Sequence, residues 1–112
     1  MIRHCLTLDL KDNEESIKAY DAWHAKVWPH VIHNMISCGI KEMQIYRINT
    51  RLFMIIDVNA SFSFERKASI ESYNKKVQEW NAFMLEFQEP LSYAKPGEKW
   101  VLMNKIFDLN QQ

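Results

Sequence analysis

Glycine, proline, cysteine and net charge are all scarce in this chain of 112 residues, and each shortage argues against a class of function. Gly39 and Gly97 are the only glycines. Two isolated glycines cannot build a glycine-rich phosphate loop or a dinucleotide fingerprint, which argues against a nucleotide-dependent enzyme. Cys5 and Cys38 stand far apart, and neither has a neighbouring cysteine with which to form a zinc knuckle or a redox pair. Fourteen basic residues balance fourteen acidic ones. Without a basic stripe, nucleic acid is not the expected partner. No apolar run reaches membrane-spanning length. The opening Met1–Cys5 reads as the start of a strand rather than a leader. The expected location is therefore cytoplasmic, where both thiols stay reduced.

Aromatic residues, by contrast, are plentiful at 12%, with four tryptophans. In a single domain spanning 1–112, some of them must be partly exposed, and a ligand cleft or a subunit interface would account for that. They concentrate in Tyr20-Asp21-Ala22-Trp23-His24-Ala25-Lys26-Val27-Trp28-Pro29. Tyr20, His24 and Trp28 are four apart and share a helical face until Pro29 breaks the helix. Histidine titrates near neutrality, so His24 is the candidate proton-transfer group. Tyr20 could hold a hydroxyl, and indoles make walls for a sugar ring. Spacing alone favours the plainer reading, an amphipathic helix with Tyr and Trp in the core and His at its edge.

The periodicity predicts the elements around this segment. Residues 2–10 alternate as a strand with one apolar face, Ile2, His4, Leu6, Leu8 and Leu10. Asp12 with Glu15 resembles a capping box that starts a helix. Pro29 suits the first turn of a second helix with the stripe Val31, Ile32, Met35 and Ile36, and Gly39 stops it. Residues 41–48 and 51–58 read as strands about an Asn49-Thr50 turn. Residues 61–87 read as mostly helical, with Tyr73, Val77, Trp80, Met84 and Phe87 on one face. Pro90, Pro96 and Gly97 mark a loop, and 99–109 a last strand. The order β-α-β-β-α-β is the ferredoxin-like α+β arrangement, an antiparallel sheet with helices on one face. Its bare face predicts a homodimer of the dimeric α+β barrel type.

Other constellations are weaker. Trp80-Asn81 could stack on a ring and bond its hydroxyls, or could simply be a core residue and its solvated neighbour. His30 and His33, with His24 or Cys38, lack the clear ligand spacing of a metal site, so no metal is expected. Asp9 and Asp57 are candidates for a second acid–base group only if they face a cleft. Glu65-Arg66-Lys67 reads as a solvated helix face.

Together, Met1-Ile2-Arg3, Tyr20-x-x-x-His24-x-x-x-Trp28-Pro29, Gly39, Ile45-Tyr46 and Gln78-x-Trp80 resemble the L-rhamnose mutarotase family nearly end to end. The resemblance implies a dimeric ferredoxin-like fold and a cofactor-free epimerase acting at the anomeric carbon of a 6-deoxy-hexopyranose. It implies that His24 is the proton donor and that Tyr20 binds sugar. The family pattern has a tyrosine where this chain has Met43, and two tryptophans where it has Trp80-Asn81. Both departures fall on substrate-contacting positions, so L-fucose stands beside L-rhamnose as a candidate substrate. Two alternatives remain at this level: a small dimeric α+β oxygenase or haem-handling protein, and a non-enzymatic sugar-binding module.

Overall fold

A computed structural model describes all 112 residues, as five strands and four α-helices with a short 3-10 turn at Leu109–Gln111. Strand β1 (Ile2–Leu10) is followed by helices α1 (Glu14–Ala25) and α2 (Pro29–Ser37). Strands β2 (Ile40–Ile48) and β3 (Arg51–Val58) form a hairpin, and helices α3 (Phe64–Glu71) and α4 (Lys75–Leu85) follow. The short strands β4 (Gln88–Glu89) and β5 (Val101–Leu102) complete the sheet. All pairings are antiparallel in the order β2-β3-β1-β4, with β5 also on β1. This is the ferredoxin-like arrangement expected, with each of its two helical segments broken in two.

Local chemistry explains the breaks. α1 is capped not by Asp12 but by Asn13, whose side chain accepts a hydrogen bond from the Ser16 N–H at 2.8 Å. Pro29 occupies the first turn of α2, where its missing N–H costs nothing. The second helical segment is interrupted at 72–74 because Asn74 caps α4 by accepting from the Val77 N–H. Tyr73 therefore lies in the turn, 90% exposed, rather than on the apolar stripe. Gly39 has φ +99, the left-handed conformation that ends α2 and starts β2.

The alternation of β1 and β3 separates two faces. Leu6 pairs with Met54 and Leu8 with Leu52, and these residues turn toward the helices. The core joins Leu8, Leu10 and Leu52 to Tyr20 of α1, Val31 of α2, and Val77, Trp80 and Met84 of α4. On α2 the stripe is narrower than periodicity suggests: Val31 is buried, Ile32 and Ile36 are exposed, and Asn34 is buried instead. The opposite sheet face carries Phe53, Ile55, Tyr46 and Ile48 and no helix. Bidentate ion pairs frame that face at each end, Arg3 with Asp57 and Arg51 with Asp9. Asp9 and Asp57 are thus paired away from the helices, which removes them as acid–base candidates.

The expected last strand over 99–109 shrinks to Val101–Leu102 plus one further bond, Met103 N–H to the Cys5 carbonyl. Beyond that, Ile106, Phe107 and Leu109 are exposed. Their apolar pattern has no partner within the chain, so no ladder forms there.

Candidate active site

Between the helix layer and the sheet lies a cleft of about 720 Å³, a size ordinary for small-molecule sites. Tyr20, His24, Met43, Trp80 and Asn81 all line it. Five residues from α1, β2 and α4 therefore meet in one place. Trp28 does not line the cleft. It packs edge-on against Trp80 at 5.1 Å and lies parallel to Phe83, and so supports the wall from behind.

His24 sits one turn after Tyr20, and its ring stacks on the phenol at 4.2 Å. Its Nδ1 lies 2.8 Å from the Tyr20 carbonyl oxygen. A carbonyl can only accept, so Nδ1 carries the hydrogen and the neutral ring keeps its lone pair on Nε2. Trp80 meets the imidazole edge-on at 5.6 Å. Burial pushes the His24 pKa below its usual 6.5, against the opposing pull of the Tyr20 carbonyl and Asp21. Asp21 itself is held ionised by a bidentate bond from Arg47, which lowers its pKa. Near neutrality the imidazole is thus predominantly uncharged and able to accept a proton.

Tyr20 is 3% exposed, and burial raises its phenol to about 12, so it acts as a hydrogen-bonding hydroxyl rather than an acid. It accepts from Gln88 Nε2 at 3.3 Å. Residues not singled out from the sequence complete the lining. Glu71 accepts on one oxygen from Asn34 (3.1 Å) and Lys67 (2.8 Å), so Lys67 is not merely solvated. Lys99 donates to the Asn81 carbonyl at 3.1 Å, and burial lowers its pKa. Trp100 adds a further aromatic wall, and Leu6, Ile45, Met54 and Ile56 form an apolar floor. Gln88 had one legible signal: it continues the Val77–Met84 spacing with a polar side chain at a core position. Lys99 and Trp100 had none, because the loop that delivers them has no periodicity. His30 and His33 stay exposed on α2, and nowhere do three His, Cys, Asp or Glu side chains gather in ligating geometry.

Fold and cleft together define a ferredoxin-like α+β protein with a cleft lined by a histidine, a tyrosine and tryptophans. Comparison with known proteins narrows this. A family model described as L-rhamnose mutarotase matches residues 3–109. An L-fucose mutarotase of Xanthomonas campestris is 36% identical, the match covering 99% of this chain and 90% of that protein. The crystal structure of an L-rhamnose mutarotase from Formosa agariphila superposes with a TM-score of 0.71 at 17% identity, covering 97% of this chain and 99% of that one. A dimeric ferredoxin-like protein from an uncultured marine organism shares the fold at a TM-score of 0.53 and 11% identity, covering 95% and 90%. The chain belongs to the L-rhamnose mutarotase family, a family of carbohydrate isomerases.

Proposed function

We propose that the protein interconverts the α and β anomers of a 6-deoxy-hexopyranose, L-rhamnose or L-fucose, with His24 as the proton-transfer group. The observation that supports this most is the Nδ1–Tyr20 carbonyl bond, which leaves Nε2 as the free atom of an imidazole lining the cleft. Nε2 takes the proton of the anomeric hydroxyl. The C1 carbonyl forms as the bond from C1 to the ring oxygen breaks, and the imidazolium donates its proton to that ring oxygen. Rotation about C1–C2 turns the other aldehyde face to the same oxygen, and the steps run in reverse. Both oxygens are bonded to C1, so one imidazole serves as acceptor and donor in turn. Positioned acid–base catalysis supplies roughly 10²–10⁴-fold, enough for a reaction that already proceeds in water. No step calls on a cofactor.

Tyr20 orients a hydroxyl, Trp80 forms the apolar wall, and Met43 and Asn81 tune the choice of sugar. The methionine and aliphatic floor suits a methyl substituent, and the Glu71–Lys99 side suits hydroxyls. The family match favours this reading over an oxygenase, a haem-handling protein or a passive sugar binder. We infer a homodimer formed through the bare sheet face, supported by its Phe53, Ile55, Tyr46 and Ile48 and by the dimeric state of the ferredoxin-like neighbour. We also assign a cytoplasmic location. The unpaired Cys5 and Cys38 support a reducing compartment, and no helix is long and apolar enough to cross a membrane.

Saturation-transfer NMR between anomeric protons tests the activity. Accelerated exchange with L-rhamnose or L-fucose is the expected result. Absence of acceleration across these and related pyranoses would sink the proposal.

A further inference from the structure

Gln88 lines the cleft and carries an unspent hydrogen-bonding group. It is 4% exposed, and its Oε1 is the one buried side-chain nitrogen or oxygen in the protein without a hydrogen-bond partner. Its Nε2 is occupied by the Tyr20 hydroxyl. Strand β4 places it there: Gln88 pairs with Leu10 of β1, and Glu89 faces solvent. Buried amide oxygens are almost always bonded, and one left unpaired carries a desolvation penalty. Turning the amide over does not remove the problem, because Oε1 would then accept from Tyr20 and Nε2 would be the unpaired atom.

Tyr20 is incomplete in the complementary sense. Its oxygen accepts from Gln88, and its own proton has no acceptor within the protein. Both residues line the cleft, so the pair holds one unused donor and one unused acceptor side by side within its wall. The Tyr20 ring that carries this donor stacks directly on His24. A hydroxyl is the small group that can answer both, accepting from Tyr20 while donating to Gln88. A methyl group, a ring oxygen or a carbonyl cannot.

We propose that Gln88 is a specificity-determining residue: its free amide oxygen, with the Tyr20 hydroxyl, selects one ring hydroxyl of the bound monosaccharide and so sets which carbons of the sugar face His24. The inference rests on the sugar-mutarotase reading of the cleft. It adds a residue to that reading and a requirement for a hydroxyl, rather than a hydrogen or methyl, at one position of the ring.

The test is a deoxygenation scan. Anomer exchange is measured by NMR for the preferred sugar and for analogues lacking one ring hydroxyl each, with the unmodified protein and with Gln88→Met. In the unmodified protein, one analogue should lose about ten- to a hundredfold in kcat/KM. Gln88→Met should raise KM for the parent sugar by a similar factor, with a smaller change in kcat. The two losses should not add, so the analogue missing the selected hydroxyl should barely notice the substitution. Equal losses on every analogue would show that Gln88 only props up Tyr20, and no loss on any would show that water satisfies the amide. Either result overturns the proposal. If Gln88→Met fails to fold, the scan of the unmodified protein decides alone, since a loss spread evenly over all hydroxyls also refutes it. If the unmodified protein exchanges no anomers at all, the mutarotase reading fails instead, and ligand-observed binding of the same analogues then judges the Gln88 contact.

Discussion

At the scale of single residues, the proposed chemistry depends on which nitrogen of His24 is free and on how seldom that nitrogen is charged. The Tyr20 carbonyl settles the first and burial the second. Because the proposed reacting form is neutral, kcat/KM should hold above the ordinary histidine value of about 6.5 and fall only as pH drops through the lower value of the folded protein. A profile that instead fell with rising pH across this range would reject the role. His24→Asn should lower kcat by about 10²–10⁴-fold without loss of fold, read by NMR exchange and circular dichroism. The same shift has a thermodynamic consequence. The depressed pKa means that the contribution of His24 to stability is complete above about 6.5 and is lost as pH falls through the folded value, where the unfolded chain binds the proton more readily. Urea denaturation between these pH values should show a decline that His24→Asn abolishes. Met43 and Asn81 are the other residues to probe. Met43→Tyr with Asn81→Trp should change the ratio of kcat/KM for L-rhamnose over L-fucose, and an unchanged ratio would remove them as selectors.

At the scale of elements, the site depends on where helices stop. α1 must end so that His24 lies in its last turn, and α2 must leave through Gly39 into β2 so that Met43 reaches the cleft. Pro29 and Gly39 made both stops legible, because each residue restricts or frees φ by covalent structure alone. The cap at Asn13 and the break at 72–74 were not legible. Asp12, Asn13, Asn74 and their neighbours are all competent caps, and tertiary packing chooses among them. Gly39 gives a sharp test. A Cβ there would meet Asn59 Oδ1, which already accepts from the N–H and hydroxyl of Ser61, and φ +99 disfavours any side chain. Gly39→Ala should cost about 1–3 kcal/mol in chemical denaturation. A loss within a few tenths of a kcal/mol would show that the turn relaxes freely.

For the whole molecule, the unpartnered sheet face and the exposed Ile106, Phe107 and Leu109 are apolar surfaces without cover within the chain. Sedimentation should give a dimer. Ile55→Asp, which puts a charge at the centre of the bare face opposite Cys5 and Gln44, should shift it to monomer. A monomeric parent protein, or a dimer unmoved by this charge, would refute the assigned interface. The sequence by itself determined the β-α-β-β-α-β order, the inward face of β1 and the histidine–tyrosine face of α1, because alternation, helical spacing and the restraints of Pro29 and Gly39 act locally. Only the tertiary structure decided that Gln88, Glu71, Lys99 and Trp100 share a cleft with His24, that Asp9 and Asp57 do not, and that 103–109 forms no strand within the chain. Those outcomes depend on contacts between residues tens of positions apart, and no local pattern encodes which of many chemically competent side chains the fold will bring together.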